Sequence, residues 1–336
     1  MIPGIPTGQR RPERSISTPW LALLCLLALP PATALGGSCT LARLGSVDFT
    51  IVDGELVVPV TVSGRRARMR VEVASSHSRI DGEYVQPFGM KTRYFPGFTV
   101  VRVGDKRITQ EAALTDFAVG PLRVAKAEFL LIPSDRAPGS DSEPVIGTLA
   151  MDVLGHLDFE LDFANNKLNF YAQDHCPGGV VYWTNRYSSA ALTRGPSGNF
   201  YFPLELEGKK VEASISTTSS GASLPTEVTR RLYGFDETSP GVESTTDQDG
   251  HTVAHYRAMS ISGDGLSVKN ARIELRTTKS HEVPCSLTTM QGPARYEGCL
   301  GGEAPLLIGL DVVRHLHLYF ATKERVLYFS DATASK

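Results

Sequence analysis

The sequence predicts a mainly β protein made of two homologous lobes with short helices, and three observations carry that prediction. A strand-and-turn segment near the start recurs further along at one fixed spacing. Each copy alternates apolar and polar residues and ends in glycine. Each copy also closes on an apolar run around a lone aspartate, followed by two more strands.

The spacing comes first. Pro59-Val60-Thr61-Val62-Ser63-Gly64 returns as Pro203-Leu204-Glu205-Leu206-Glu207-Gly208, 144 residues later. At the same offset Glu72 meets Ser216, Ile80 meets Leu224, and Leu122, Val124 and Ala127 meet Leu266, Val268 and Ala271. A shared offset over so long a stretch is the mark of an internal repeat. Period-two alternation ending in Gly reads as a strand and a turn.

A second strand, Ala67 to Val73, follows, then a polar loop and a short helix over Asp81 to Phe88. Its counterpart helix is Pro225 to Leu232, with proline in the first turn, where the missing N–H costs nothing. Val100 to Arg102 and Arg107 to Thr109 flank Gly104-Asp105, a hairpin signature. Lobe one ends with Ala150 to Leu154, Leu157 to Phe163 and Lys167 to Phe170. Lobe two ends with Gly309 to Val313, Leu316 to Phe320 and Val326 to Phe329. Between Ala271 and Gly309 the offset grows from 144 to 159, so lobe two holds an insertion of about fifteen residues.

The N-terminus belongs to neither lobe. Arg10, Arg11 and Arg14 precede the apolar run Trp20 to Leu29, then Pro30, Pro31 and Ala32-Thr33-Ala34. A basic stretch, a short apolar stretch and an A-x-A site spell a secretory signal peptide, 1–34. A membrane span needs about 20 apolar residues, and the prolines cut this run short. The mature chain then divides into lobe one, 39–176, and lobe two, 177–330, with export to the periplasm or the extracellular space.

Cys25 falls in the leader, leaving Cys39, Cys176, Cys285 and Cys299, an even set that favours disulfides in an exported protein. Four cysteines allow three pairings. Cys285 and Cys299 both lie in the insertion, and a long loop needs tethering. That pairs them with each other and leaves Cys39 for Cys176. A competing use of Cys39, as the acylated residue of a lipoprotein, is opposed by the poor Gly36-Gly37-Ser38 context.

With 336 residues, 41% hydrophobic, and a formal net charge of −2, the chain offers no electrostatic case for nucleic acid. His251 with His255, and His315 with His317, are the close imidazole pairs. Neither has a thiol or carboxylate at zinc-ligand spacing, so no metal or cofactor is expected. His315 and His317 alternate on a strand and are expected toward solvent or a turn. Gly301-Gly302 and Gly263-Asp264-Gly265 lack the strand-to-helix setting and lysine of a phosphate loop. Ser75, Ser76, His77 and Ser78 put hydroxyls beside an imidazole. Neighbours on an extended segment point apart, so a hydrogen-bonded loop outweighs a nucleophile here.

Taken together, the P-h-x-h-x-G strand, the loop with Ser78 and Ile80 or Thr217 and Leu224-Pro225, the hairpins, and the Leu307-Ile308-Gly309-Leu310-Asp311 run resemble the retropepsin-like and pepsin-like aspartic proteases, especially exported bacterial two-lobe members. The resemblance covers about residues 39 to 330. It implies the acid-protease β-barrel fold, two lobes around a groove, and flap hairpins near Pro96-Gly97 and Asp249-Gly250.

The catalytic triplets depart from it. Where the family has D-T-G, lobe one has Glu72-Val73-Ala74 and lobe two has Ser216-Thr217-Thr218; where lobe two keeps Gly309, lobe one has Ala150. The family's chemistry needs two carboxylates sharing a proton, one acting as base toward water and the other as acid. Ser216 supplies none. The extra methylene of Glu72 displaces its carboxylate, and Val73 lacks the hydroxyl used across the lobe interface. Ala74 and Thr218 add side chains where glycine permits close approach. The sequence therefore points to a monomeric pseudoprotease that binds extended polypeptide between its lobes. The alternative is a divergent, weakly active aspartic-type endopeptidase that recruits another carboxylate such as Asp81 or Asp247.

Overall fold

Alternation along the strand Glu55–Val62 sends Leu56, Val58, Val60 and Val62 inward and leaves Pro59 exposed. The turn Ser63-Gly64 follows, with φ of 51° and 75°. Two successive positive φ values match the twist of the flanking strands and set the hairpin's register with Arg65–Val71. Glu207-Gly208 repeats the turn in lobe two, at φ 50° and 75°.

The computed structural model describes residues 40–96, 101–103, 106–195, 198–246, 252–276 and 306–334. The expected leader 1–34, Cys25, Cys39, Cys285, Cys299, Gly97, Gly104-Asp105, Asp247, Asp249-Gly250, His251 and Gly301-Gly302 lie outside the described residues.

Lobe one is a closed six-stranded barrel. Glu55–Val62 pairs with Arg65–Val71, which runs parallel to Val145–Leu149. That strand is antiparallel to Arg79–Asp81, which is parallel to Leu122–Ile132. Leu122–Ile132 pairs with Gln110–Val119, which returns to Glu55–Val62. Lobe two closes in the same order: Phe200–Leu206, Lys209–Ile215, Leu306–Ile308, Ala222–Pro225, Leu266–Arg276 and Thr252–Gly263. The strand ends Val62, Val71, Asp81, Val119 and Ile132 each find their match 144 residues on, at Leu206, Ile215, Pro225, Gly263 and Arg276. Leu149 and Ile308 stand 159 apart. The repeat inferred from sequence is thus a repeat of architecture.

Closing each barrel matters for the site. Val145–Leu149 wedges between Arg65–Val71 and Arg79–Asp81, so the chain from Glu72 to Ser78 must leave the sheet as a loop. Leu306–Ile308 does the same to residues 216–221.

The lobes share a six-stranded antiparallel sheet in the order Arg43–Asp48, Lys167–Tyr171, Asp158–Asp162, Leu316–Ala321, Val326–Asp331, Ser188–Ala191. Its two central strands come one from each lobe. There Phe159 faces Phe320, with ring centroids 4.5 Å apart and planes 12° off parallel. Such a stack contributes about 0.5–1.5 kcal/mol beyond area burial. The hydrophobic core runs unbroken from one barrel through this sheet to the other.

Two expectations need correction. The Asp81 to Phe88 helix is only a 3-10 turn, Gly82–Tyr84, because Gly82, Pro87 and Gly89 deny an α-helix its length. The lobe-two helix, Thr226–Tyr233, is a true α-helix, with Pro225 as its N-cap and Gly234 at φ 75° closing it onto Arg230 O at 3.1 Å. His317 does not face solvent: it is 5% exposed and buried against Glu160. Among the described residues no helix is long and apolar enough to cross a membrane, and no cluster of three His, Cys, Asp or Glu side chains could hold a metal ion. Cys176 is disulfide-bonded, and its partner lies outside the described residues.

Candidate functional site

The two loops raised by the wedged strands meet at the lobe junction, and the residues singled out from the triplets meet with them. Glu72 N donates to Leu149 O at 2.9 Å and Ser216 N to Ile308 O at 3.0 Å, so each loop is anchored to its own barrel in the same way. Glu72, Ser216, Thr217 and Val73 are all buried; Ala74 and Thr218 are partly exposed.

Glu72 reaches across the junction. Its Oε2 accepts from Ser216 Oγ at 2.9 Å and from Thr218 Oγ1. Its Oε1 accepts from Ala74 N at 2.8 Å and Thr217 N at 3.4 Å. Four donors, three of them from the other lobe, therefore surround one carboxylate. Among the described residues no second carboxyl group hydrogen-bonds to it. The longer glutamate side chain makes this reach possible, since Ser216 is too short to come forward.

Thr217 adds a separate tie. Its Oγ1 donates to Val71 O at 2.6 Å and accepts from Val73 N at 3.3 Å. Its carbonyl accepts from Leu56 N at 2.8 Å. Val73 has no hydroxyl, so the side-chain bridge is made from lobe two only.

The floors of the loops are asymmetric too. In lobe one Ser78 N and Oγ donate to the two oxygens of Asp152, at 2.8 and 2.5 Å, and Ser78 Oγ accepts from Ala150 N. Lobe two has Ala222 in place of Ser78, and its Asp311 side chain is 62% exposed beside Arg314. Gly309 is held differently: a β-carbon there would lie 2.2 Å from Gly221 O and 2.7 Å from Ser219 O. Glycine is required at that approach, although its φ of −84° is ordinary. Lobe one accommodates a methyl at Ala150.

Charge surrounds Glu72 at one remove. Arg79 NH1 lies 3.5 Å from Ser75 Oγ. Burial pushes the Arg79 guanidinium below its ordinary value, against the opposing pull of Glu72 and Asp81. Asp81, the sequence candidate for a second carboxylate, is instead tied to Arg70 at 3.3 Å, and Arg70 to Glu55 at 2.5 Å. The Ser-His cluster departs from expectation in one respect. Ser76 Oγ and His77 Nδ1 are 2.8 Å apart, because both residues sit in a bend and not on an extended strand. Among the described residues no carboxylate orients that imidazole.

Sequence reasoning missed a second polar cluster, on the shared sheet. Glu160, fully buried, accepts from Asn169 Nδ2 at 2.6 Å, Tyr171 OH at 2.9 Å and Tyr182 OH at 3.0 Å, and contacts His317 Nε2 at 2.6 Å. Burial alone would raise its pKa, but the His317, Asn169 and Tyr171 bonds and the imidazole's charge outweigh burial and hold it below the usual carboxylate value. Trp183 stacks on His317 at 4.1 Å. Beside them His175 Nε2 meets Asp158 Oδ2 at 2.5 Å. Alternation in Asp158-Phe159-Glu160-Leu161-Asp162 reads as one solvated face. The signal that it is covered was the aromatic run Tyr182-Trp183 in the connection between the lobes.

No known family profile matches the chain, and no curated protein matches it by sequence. Solved structures do resemble it. An aspartic proteinase from Irpex lacteus is similar at 13% identity over 86% of this chain and 97% of that one, with a TM-score of 0.48. Conglutin gamma, a basic 7S globulin from lupine seeds, is similar at 10% identity over 88% and 96%, TM-score 0.45. Basic 7S globulin from soybean is similar at 8% identity over 88% and 96%, TM-score 0.45.

Proposed function

We propose that this chain is an exported pseudoprotease of the two-barrel type, which holds an extended polypeptide in the groove between its lobes without cleaving it. One observation carries the reading: the carboxylate at the lobe junction, Glu72, is enclosed by four hydrogen-bond donors and faces the Ser216 hydroxyl. An acid–base pair must give and take a proton across a shared water, which needs two ionisable oxygens. Here a hydroxyl stands where the second would be, and the one carboxylate is committed to joining the lobes. Extended peptides are recognised through backbone bonds to a sheet edge, and such binding needs no catalytic group. The mature protein starts after Ala34, carries Cys39–Cys176 and Cys285–Cys299 disulfides, and acts as a monomer.

The test is incubation of purified mature protein with unfolded protein substrates from about pH 3 to 7, the range in which carboxylate pairs operate. Wild type and Glu72→Gln are expected to leave the substrates intact and to retain them equally in a pull-down. Cleavage by wild type that Glu72→Gln abolishes would establish the divergent endopeptidase instead. Peptide mapping without reduction tests the disulfides; a Cys39–Cys285 linkage refutes the pairing.

A further inference from the structure

At the turn of the lobe-two hairpin Leu316–Ala321/Val326–Asp331 lies a cavity of about 200 Å³, whose lining includes Gln173, Arg194, Phe200, Thr322, Lys323 and Arg325. Three cationic side chains converge on it from two separate segments. Among the described residues Arg194 and Arg325 form no ion pair. Lys323 pairs with Asp174 at 2.9 Å, but that carboxylate is 89% exposed, and such pairs are weak. The floor is rigid: Gln173 Nε2 donates to Thr322 Oγ1 at 2.6 Å, and Thr322 N donates to Asp158 Oδ1 at 2.9 Å.

The repeat supplies a control. Leu192 N donates to Arg325 O at 2.8 Å, and the same bond in lobe one joins Phe49 N to Asn166 O at 2.9 Å. At that corner of lobe one, Phe163, Ala164 and Asn166 stand 159 residues before Thr322, Lys323 and Arg325. Phe163 packs edge-on against Phe49 at 5.2 Å, and both are buried. There a phenyl ring takes the place of Thr322, and neither Ala164 nor Asn166 carries the positive charge of Lys323 and Arg325. The fold therefore demands neither the cavity nor its charge; both are particular to lobe two.

We infer that this pocket binds a doubly charged tetrahedral oxyanion, either free phosphate or sulfate or the phosphate of a phosphomonoester. Guanidinium groups present paired N–H donors that match such oxygens. A concave surface of one sign concentrates counter-ions. A water takes about 30 Å³ in the liquid, so the cavity holds the group with a few waters beside it. The pocket is separate from the lobe junction and does not rest on the peptide-binding reading.

Calorimetric titration of the full chain at low ionic strength, where screening is weak, tests this with inorganic phosphate, sulfate and glycerol 3-phosphate as probes. Wild type is expected to bind at one site. Arg194→Gln and Arg325→Gln should each weaken binding about tenfold or more, since each removes charge-assisted hydrogen bonds. Thr322→Phe, which installs the phenyl ring of lobe one, should abolish binding, and Arg123→Gln on the far barrel should change nothing. Binding of glycerol 3-phosphate alone would identify an ester as the source; equal binding of all three would identify the bare anion. No binding by wild type, equal binding by the Arg194→Gln/Arg325→Gln double variant, or equal weakening by Arg123→Gln would overturn the inference. Unchanged circular dichroism of the arginine variants keeps a folding defect from imitating a lost site.

Discussion

Glu72 and Glu160 are both buried carboxylates that tie one lobe to the other, yet their partners differ in kind. Hydroxyls and backbone amides surround Glu72. Glu160 meets an imidazole, two phenols and an amide. The first site can fill with water if its carboxylate is removed, since it opens beside the partly exposed Ala74 and Thr218. The second cannot, since it is sealed under Trp183 and leaves an ionisable ring behind. The difference teaches that the junction at the loops is held by several neutral donors around one carboxylate, whereas the sheet is held by a buried carboxylate–imidazole cluster.

The largest effect should therefore come from the sheet. Glu160→Ala is expected to lower unfolding free energy by about 3–5 kcal/mol, the usual consequence of stranding one member of a buried pair. Glu72→Ala should cost only about 1–3 kcal/mol, the range for unsatisfied donors. Urea denaturation at neutral pH measures both, and an equal or reversed ranking breaks the comparison.

Acid sharpens it. Glu160 is held below its ordinary value of 4.5, so its stabilisation is fully present above that pH. It is lost as pH falls through the depressed value, where the folded protein takes up the proton. Urea midpoints measured from neutral pH down through 4.5 should fall for wild type and run flatter for Glu160→Gln.

Next comes the asymmetry of the loop floors. Gly309→Ala should destabilise by about 1–3 kcal/mol by overpacking against Gly221 O, whereas Ala150→Gly should cost about 0.5–1 kcal/mol through backbone entropy. Thermal melts of the two variants are the measurement. Thr217→Val should have a comparably small effect, at about 0.5–1.5 kcal/mol, for the loss of the bond to Val71 O. A loss as large as that of Glu160→Ala would show that Thr217, and not the sheet, holds the lobes together.

Much of this was legible in the residues. The Ser63-Gly64 and Glu207-Gly208 turns, and the alternation before them, announced matching hairpins because turn chemistry and inward-outward alternation are local properties. Glu72 and Ser216 could be placed opposite one another from their spacing. The covering of Glu160 was not legible. Its strand alternates like any half-solvated strand, and only the path of the inter-lobe connection lays Tyr182 and Trp183 over it. The meeting of Ser76 with His77 was likewise hidden, since it depends on a bend that the wedged strand imposes.

By itself the sequence determined that two copies of one β unit exist, and that a carboxylate stands at one repeat position, Glu72, where a hydroxyl, Ser216, stands at the other. Those are matters of order along the chain and of side-chain chemistry. Tertiary structure alone decided that Glu72 takes its donors from the opposite lobe, that Glu160 is sealed beside His317, and that Arg194, Lys323 and Arg325 surround one cavity. Each of those brings together residues distant in sequence, and no local propensity encodes where a closed barrel will carry them.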